Sequence, residues 1–446
     1  MSELEQLDRT IRLCRDYVAE GLSDEEICRA FSSLHVLCVS DRQNLSTHSG
    51  QTALVTLVSL LSRMGMQVEL KVPDVRMLAP QPPLIGASVL EALIASSEAF
   101  VNGAAVHGYS EFRPNIVFVL GDTATKNYNI PCWRLSGGSW YGAISAQAAS
   151  KLPVWKDEWA VGSMVSAALA ANEAFKFVIR HLPLRDQSTQ VFFEQSPCCS
   201  WDFGSILVPE EQIDLGDVDV ISAGAITQAA LYALVRFPCL RMRGRIFDED
   251  TTAASNLNRN MLTLVTDIGS PKVQVVAQRC GTNVQLQPVN NRFVGGSFEG
   301  TLANRLLVGV DDIPSRWEIQ RHARGWVGVS GTSHFNVSSS SHNPGEPCAG
   351  CLHPVDDPAG GNPIPTVSFV SFWAGLAMAV RLLRDVVAAP YSSRQQHLWL
   401  TPLRMDAPHS AMWLPVAPRS DCPVHCVASI GSIASMKSKR VSAGQS

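Results

Sequence analysis

Twice along this chain, short aliphatic runs alternate with segments whose apolar residues recur three and four apart. That alternation narrows the fold more than any other feature. The first series contains LHVLCV (34–39), a helix expected over 51–64, MQVELKV (66–72), NIVFVL (115–120) and the Ala-rich VGSMVSAALAANEAFKFVI (161–179). The second restarts near Asp217 with DVDVISAG, then AITQAALYALVRF, RGRIFDED, PKVQVVAQRC, NVQLQPV and LANRLLVGVDD. Strand-length apolar runs between helical patterns predict parallel sheets covered on both faces. The expected fold is α/β, with two tandem Rossmann-like units. N-terminal helices should occupy 1–32, the first unit 33–205, the second 206–436, and a flexible tail 437–446. Ser23 and Glu26 have capping-box spacing for a short second helix. The serine run at 338–341 makes 331–347 read as a mobile loop.

Composition excludes some functions. Lys and Arg total 36 against 40 Asp and Glu, giving a charge of −4. No basic excess points to nucleic acid or an anionic membrane. The longest uncharged run, 358–380, is interrupted by Pro358, Pro363 and Pro365. The remaining apolar stretch is shorter than the ~20 residues a span needs, so a buried helix is expected. Glu3, Glu5, Asp8, Arg9, Arg12, Arg15 and Asp16 make the first twenty residues unlike a secretory leader. The chain has 12 cysteines, which read as thiols or metal ligands in a reducing compartment, and a cytoplasmic location is expected.

The candidate chemistry lies in the second half. The turn Ser222-Ala223-Gly224-Ala225-Ile226-Thr227 follows a strand and opens a helix, as a phosphate-binding turn does, with only its middle glycine in place. Asp248 ends the next strand 24 residues after Gly224, where a doubly wound fold presents a carboxylate to a ribose. Asn256, Arg259 and Lys272 follow. Arg offers a bidentate fork and Lys a point charge, both suited to a triphosphate. Asp311, just past the strand LLVGV, is placed to hold Mg²⁺ against phosphates.

Asp248-Glu249-Asp250, Ser255-Asn256-Leu257-Asn258-Arg259 and Asp267-Ile268-Gly269 with Lys272, then Asp311, resemble the ThiF/MoeB/ubiquitin-activating (E1-like) adenylyltransferases. The intervals of eleven residues from Asp248 to Arg259 and thirteen on to Lys272 match that family's. The resemblance covers residue 218 to about 426. It implies an ATP site built from Gly224, Ala225, Asp248, Asp250, Asn256, Arg259, Lys272 and Asp311, with Asp248 on the ribose. Asn256, Arg259 and Lys272 would contact phosphates, and Asp311 would bind Mg²⁺. Arg259, Lys272 and Asp311 would carry catalysis. Ser222 and Thr227 stand where the family usually has glycine. The first half resembles the inactive adenylation domain of fused or heterodimeric relatives, which can supply an arginine from an N-terminal helix. Arg9, Arg12 and Arg15 are the candidates.

Cys348 and Cys351 form one C-x-x-C knuckle, and Cys422 and Cys426 a second, wider one 71 residues on. Two such pairs can close a structural Cys₄ zinc site, as the family does. His425 is an alternate ligand. No cysteine lies between Cys351 and Cys422, where thioester-forming relatives carry their nucleophile; around 356–366 there are carboxylates, prolines, glycines and Asn362. Cys198-Cys199 is the one suggestive pair elsewhere.

The expected function is ATP-dependent adenylation of the C-terminal carboxylate of a small ubiquitin-like β-grasp protein, for hand-over to a conjugating enzyme. The cofactors would be ATP, Mg²⁺ and Zn²⁺. A homodimer is compatible with this class; nucleic-acid and membrane partners are not expected. Two alternatives stay open: activation of a sulfur-carrier protein, and a pseudoenzyme scaffold that binds a ubiquitin-like protein.

Overall fold

The computed structural model describes all residues except 1, 102, 111–112, 127, 147–154, 156–158, 205–211, 299, 356–364, 388–389 and 429–446. The expected boundary at 205/206, the tail 437–446 and most of 356–366 lie outside the described residues.

Two helices lead the chain, α1 (Glu3–Tyr17) and α2 (Asp24–Ser32). Each starts at a capping box, Ser2 with Glu5 and Ser23 with Glu26. The first sheet comprises β1 (His35–Val39), β2 (Gln67–Lys71), β3 (Val106–Gly108), β4 (Ile116–Leu120), β5 (Cys132–Gly138), β6 (Tyr141–Ala146) and β7 (Cys198–Asp202). Its helices are α3 (His48–Ser62), α4 (Val89–Ala95), α5 (Ser97–Phe100), α6 (Val161–Ile179) and α7 (Gln187–Phe192). The strand order is β3-β2-β1-β4-β5-β6-β7. It is parallel through β5 and antiparallel beyond.

The second sheet comprises β8 (Ile213–Ile221), β9 (Leu240–Phe247), β10 (Val284–Val289), β11 (Arg305–Val308) and β12 (Trp326–Ser333), then β13 (Asn336–His342), β14 (His397–Leu400) and β15 (Ala411–Leu414). With it come α8 (Ala225–Leu234), α9 (Lys272–Cys280), α10 (Ile313–His322), α11 (Ala349–Leu352) and α12 (Ser368–Val387). Its order, β10-β9-β8-β11-β12-β13-β14-β15, repeats the first sheet's and adds one strand. The two parallel-rich sheets are those the aliphatic runs predict, consistent with tandem Rossmann-like domains. No helix among the described residues is long and apolar enough to cross a membrane.

One continuous core joins the halves. Every residue of α3 is buried, and α6, α8 and α12 bury nearly all of theirs. Helices apolar all round need neighbours on every side, and these pack on one another and on both sheets. The polar groups among them pair across the seam. Thr56 Oγ1 lies 3.2 Å from Tyr232 Oη, and Asn172 Nδ2 donates to Pro402 O at 2.7 Å.

The loop expected over 331–347 is instead largely strand. β12 runs to Ser333 and β13 crosses 336–342 between β12 and β14. Serine is a weak strand former, but tertiary partners override that preference here. Ser330 Oγ donates to Ser339 Oγ (2.8 Å), Arg381 Nη1 to Ser341 Oγ (3.0 Å), and His397 Nε2 lies 2.9 Å from Ser338 Oγ.

Candidate functional site

Strands β8, β9 and β11 run parallel and end level, Ile221 pairing with both Phe247 and Val308. The strand order reverses at β8 and β11, and a doubly wound sheet binds ligands at the carboxyl ends beside such a reversal. All eight residues expected at the ATP site lie on the loops and helix starts leaving these ends.

The turn after β8 is built without its usual glycines. Ser222 takes φ +85°, the left-handed region normally left to glycine. Its Oγ accepts from Gly224 N at 3.1 Å. Gly224 is the N-cap of α8, and no side chain caps that helix, so the amides from Ala225 onward are available to an anion. Thr227 is fully buried. Its methyl faces Gly309, where an added Cβ would come within 2.7 Å of Thr227 Cγ2. The glycine required for close helix–strand approach has moved to the neighbouring strand's end.

Asp248 uses both oxygens, one on the turn and one on its own loop. Oδ2 accepts from Ala223 N (2.7 Å) and Oδ1 from Asp250 N (2.9 Å), and each oxygen keeps a lone pair for a sugar hydroxyl. Asp250 is exposed and pairs with Lys272 Nζ at 2.5 Å. Its carbonyl also accepts from Lys272 N at 3.0 Å, so this acid aims the lysine that opens α9. Asn256 Oδ1 accepts from Ala253 N at 2.9 Å and shapes the loop.

Arg259 is half-buried. Its Nη1 donates to Ser255 O and to Asn258 Oδ1. Burial, and then the charge of Arg9, push its pKa down. Of the three candidate arginines on α1, Arg12 pairs with Asp8 at 2.7 Å and Arg15 with Asp24 at 2.9 Å. Arg9 differs. Its Nε and Nη1 are buried with no hydrogen-bond partner among the described residues, and its ion-pair contact, Asp8 Oδ2, is 3.8 Å from Nε. Burial lowers its pKa, Asp8 raises it, Arg12 lowers it, and Asp311 raises it. Helix α1 is fastened to the loop by Asn258 Nδ2, which donates to Thr10 Oγ1 at 3.2 Å.

The adjacent carboxylates Asp311 and Asp312 divide their tasks. Asp312 caps α10, accepting from Ser315 N at 2.8 Å, whereas Asp311 is exposed at the crevice mouth. One free carboxylate completed by substrate phosphates is an ordinary Mg²⁺ arrangement, and the donor fits. The sequence reading missed Gln228, which looks like an unremarkable helix former. Its Nε2 donates to Ala223 O (2.9 Å), while its Oε1 accepts from Leu262 N and Thr263 Oγ1 (3.1 and 3.0 Å). It thereby ties the turn to the arginine loop.

The corresponding crevice of the first half is closed. Asn44, fully buried, follows β1 and donates to Asp41 Oδ1 at 2.9 Å and Thr123 Oγ1 at 3.1 Å. An added Cβ at Gly121, just past β4, would lie 2.0 Å from Asn44 Oδ1. Side chains there fill the space between the ends of β1 and β4.

Cys348, Cys351, Cys422 and Cys426 converge, their sulfurs all within 4.8 Å of one another. Cys348 Sγ is 3.5 Å from Cys422 Sγ and Cys351 Sγ 3.6 Å from Cys426 Sγ. Tetrahedral zinc with bonds of about 2.3 Å needs sulfurs ~3.8 Å apart, so the group could hold zinc. The four-ligand group contains Cys426 and not His425. Val416 and Cys422 form a small apolar cluster with Cys348 and Cys351, and Arg321 Nη2 on α10 donates to Pro423 O at 2.9 Å.

Elsewhere the thiols are mostly enclosed. Cys14, Cys28, Cys38, Cys132, Cys199 and Cys280 are buried, Cys239 is intermediate, and Cys198 is exposed. Cys198 and Cys199 lie on edge strand β7, which meets β15 where Trp201 stacks on Trp413 with centroids 6.4 Å apart. Strand β15 is four strand spacings from β11, roughly 19 Å, so this pair is not at the crevice.

Residues 34–188 match the family model of the BilD N-terminal domain, a stretch running from just before β1 into α7. Over 146 residues, 32% of this chain, the sequence is 25% identical to the uncharacterized protein y4jF of Sinorhizobium fredii (strain NBRC 101917 / NGR234). The chain spans 28% of that relative's length.

Proposed function

We propose that the second half adenylates a carboxylate with ATP, and that the carboxylate is the C-terminus of a small ubiquitin-like protein. The observation that carries this reading is the guanidinium of Arg9, with Nε and Nη1 buried and not hydrogen-bonded among the described residues and Asp8 no nearer than 3.8 Å, whose charge acts on Arg259. Two neighbouring cations that share a single loose carboxylate partner, Asp8, suit a polyanion. Asp248, with spare acceptor capacity, suits the ribose, and the uncapped start of α8 suits a phosphate.

In the proposed reaction a carboxylate oxygen attacks the α-phosphorus. The bond from that phosphorus to the bridging oxygen breaks, and pyrophosphate leaves. The residues contribute positioning and charge neutralisation. Arg259, Arg9 and Lys272 offset the charge gathering on the leaving pyrophosphate, and Asp250 keeps Lys272 aimed until phosphate takes its place. Asp311 would hold Mg²⁺, which supplies further charge neutralisation when bound. The Cys₄ group would hold zinc structurally, since four thiolates leave no open position.

ATP–pyrophosphate exchange with candidate β-grasp proteins tests the reading. Arg259→Ala and Lys272→Ala should each cost about 2–4 kcal/mol of transition-state stabilisation, the scale of one preorganised donor. Exchange within twofold of wild type in both variants overturns the assignment. The pseudoenzyme reading draws on Ser222, whose hydroxyl occupies the Gly224 amide; nucleotide binding without exchange would favour it.

A further inference from the structure

Arg63 directly follows α3, in the first half, and its side chain is fully buried. No carboxylate pairs with it among the described residues. Its Nη1 donates to Leu257 O at 2.6 Å, and its Nη2 to Met261 O at 3.1 Å and Thr263 O at 2.8 Å. All three carbonyls belong to the second-half loop that carries Asn256, Asn258 and Arg259. No backbone N–H of the described residues uses them. Burial pushes the pKa of Arg63 down to about 9, which leaves it a cation at neutral pH. Its Cζ lies 5.1 Å from the centroid of the Phe100 ring.

Burying a cation with no carboxylate in direct contact is an expensive way to join two halves that already share an apolar core. A guanidinium does what packing cannot: its rigid fork fixes several acceptors at once. The loop needs such a template. Its regular turns are the 3₁₀ segments Ala254–Asn256 and Val265–Asp267, and between them the chain is held by Gln228 from α8, Thr10 from α1 and Arg63 from the first half.

We propose that Arg63 is the positioning residue through which the first half sets the phosphate-facing loop of the second, holding Arg259 where it receives the nucleotide. Arg63 touches no ligand itself. The inference rests on the reading of Arg259 as a phosphate contact. It gives the first half, whose own crevice is closed, a defined part in the chemistry of its neighbour.

The test is a double-mutant cycle on the full chain, read as Mg-ATP affinity by calorimetry. Arg63→Met should weaken binding at least tenfold. Arg259→Ala, costly in the wild type, should add less than threefold in the Arg63→Met background, because the loop is already misplaced. Amide exchange over 257–264 should accelerate in Arg63→Met while the core of α6 stays protected. Should Arg63→Met fail to fold, Arg63→Lys, which keeps the charge but loses the fork, enters the same cycle with the same expected non-additivity. Unchanged ATP affinity in a folded variant, or full additivity with Arg259→Ala, overturns the proposal. Absence of Mg-ATP binding by the wild-type chain instead overturns the adenylation reading, and this proposal with it.

Discussion

Burial pushes the pKa of Arg259 on the arginine loop down, and the charge of Arg9 on the N-terminal helix pushes it further. Their neighbourhood gathers positive charge before any ligand arrives, offset at Arg9 first by Asp8, 3.8 Å from its Nε, and then by Asp311.

Relieving that repulsion should separate stability from affinity. Arg9→Met is expected to leave thermal stability unchanged or slightly raised while weakening Mg-ATP binding about tenfold, the loss of one charge-assisted contact. Arg12→Met, whose partner Asp8 is on the surface, should change neither. Calorimetry with thermal melts checks both; equal ATP affinity for Arg9→Met and wild type would remove Arg9 from the site.

Asp311 and Asp312 should differ in kind. Asp311→Ala is expected to abolish Mg²⁺-dependent exchange. Asp312→Ala should cost about 1 kcal/mol of stability, a lost helix cap, with turnover retained. Rates titrated against limiting Mg²⁺ distinguish them, and an Asp311 variant that matches wild type contradicts the metal assignment.

The protein purified without chelator should contain one zinc per chain. Replacing Cys422 by Ser should loosen α10, α11 and the 416–426 segment, since metal binding and local folding are coupled. Elemental analysis gives the stoichiometry and limited proteolysis the loosening; metal-free, fully folded protein is the contrary result.

Acid should weaken the second half through its buried histidines, His342 and His397 among them. Burial pushes His342 and His397 down from 6.5 to about 4, so they stay neutral in the fold while the unfolded chain takes up protons. Fewer protons are bound folded than unfolded between those values, and stability therefore rises with pH across that window. Their contribution is fully present above pH 6.5 and is lost as the pH falls toward 4. Melting temperatures from pH 7 to 4 should decline, and His342→Gln should flatten the decline; parallel curves would show that His342 is not responsible.

A modifier activated here should form no reducible adduct with the enzyme. The exposed thiol, Cys198, lies at the β7 edge away from the crevice, and the zinc-type thiols already have one another. A non-reducing gel after incubation with ATP and modifier should lack a thiol-sensitive band; such a band, lost in Cys198→Ser, would identify an overlooked nucleophile.

Parts of this molecule are plain in its sequence and parts are not, for identifiable reasons. The aliphatic runs of β1 and β4 and the apolar helices α6 and α12 are legible because burial on all sides demands residues of one kind. The two cysteine knuckles are legible because metal geometry sets their spacing. The serines of β13 misled because what makes them a strand, Arg381 and His397, comes from distant segments. The Thr227–Gly309 exchange and the closure by Asn44 are invisible for the same reason. Arg63 resembles any charge at a helix end until the carbonyls of residues 257, 261 and 263 are seen around it.

The closure by Asn44 has a quantitative consequence. A chain with two sheets of matching strand order would be expected to titrate as two sites, with whatever cooperativity linked them. With one crevice filled by its own side chain, it should saturate at a single equivalent along a simple hyperbola, and sigmoidal binding could arise only between chains.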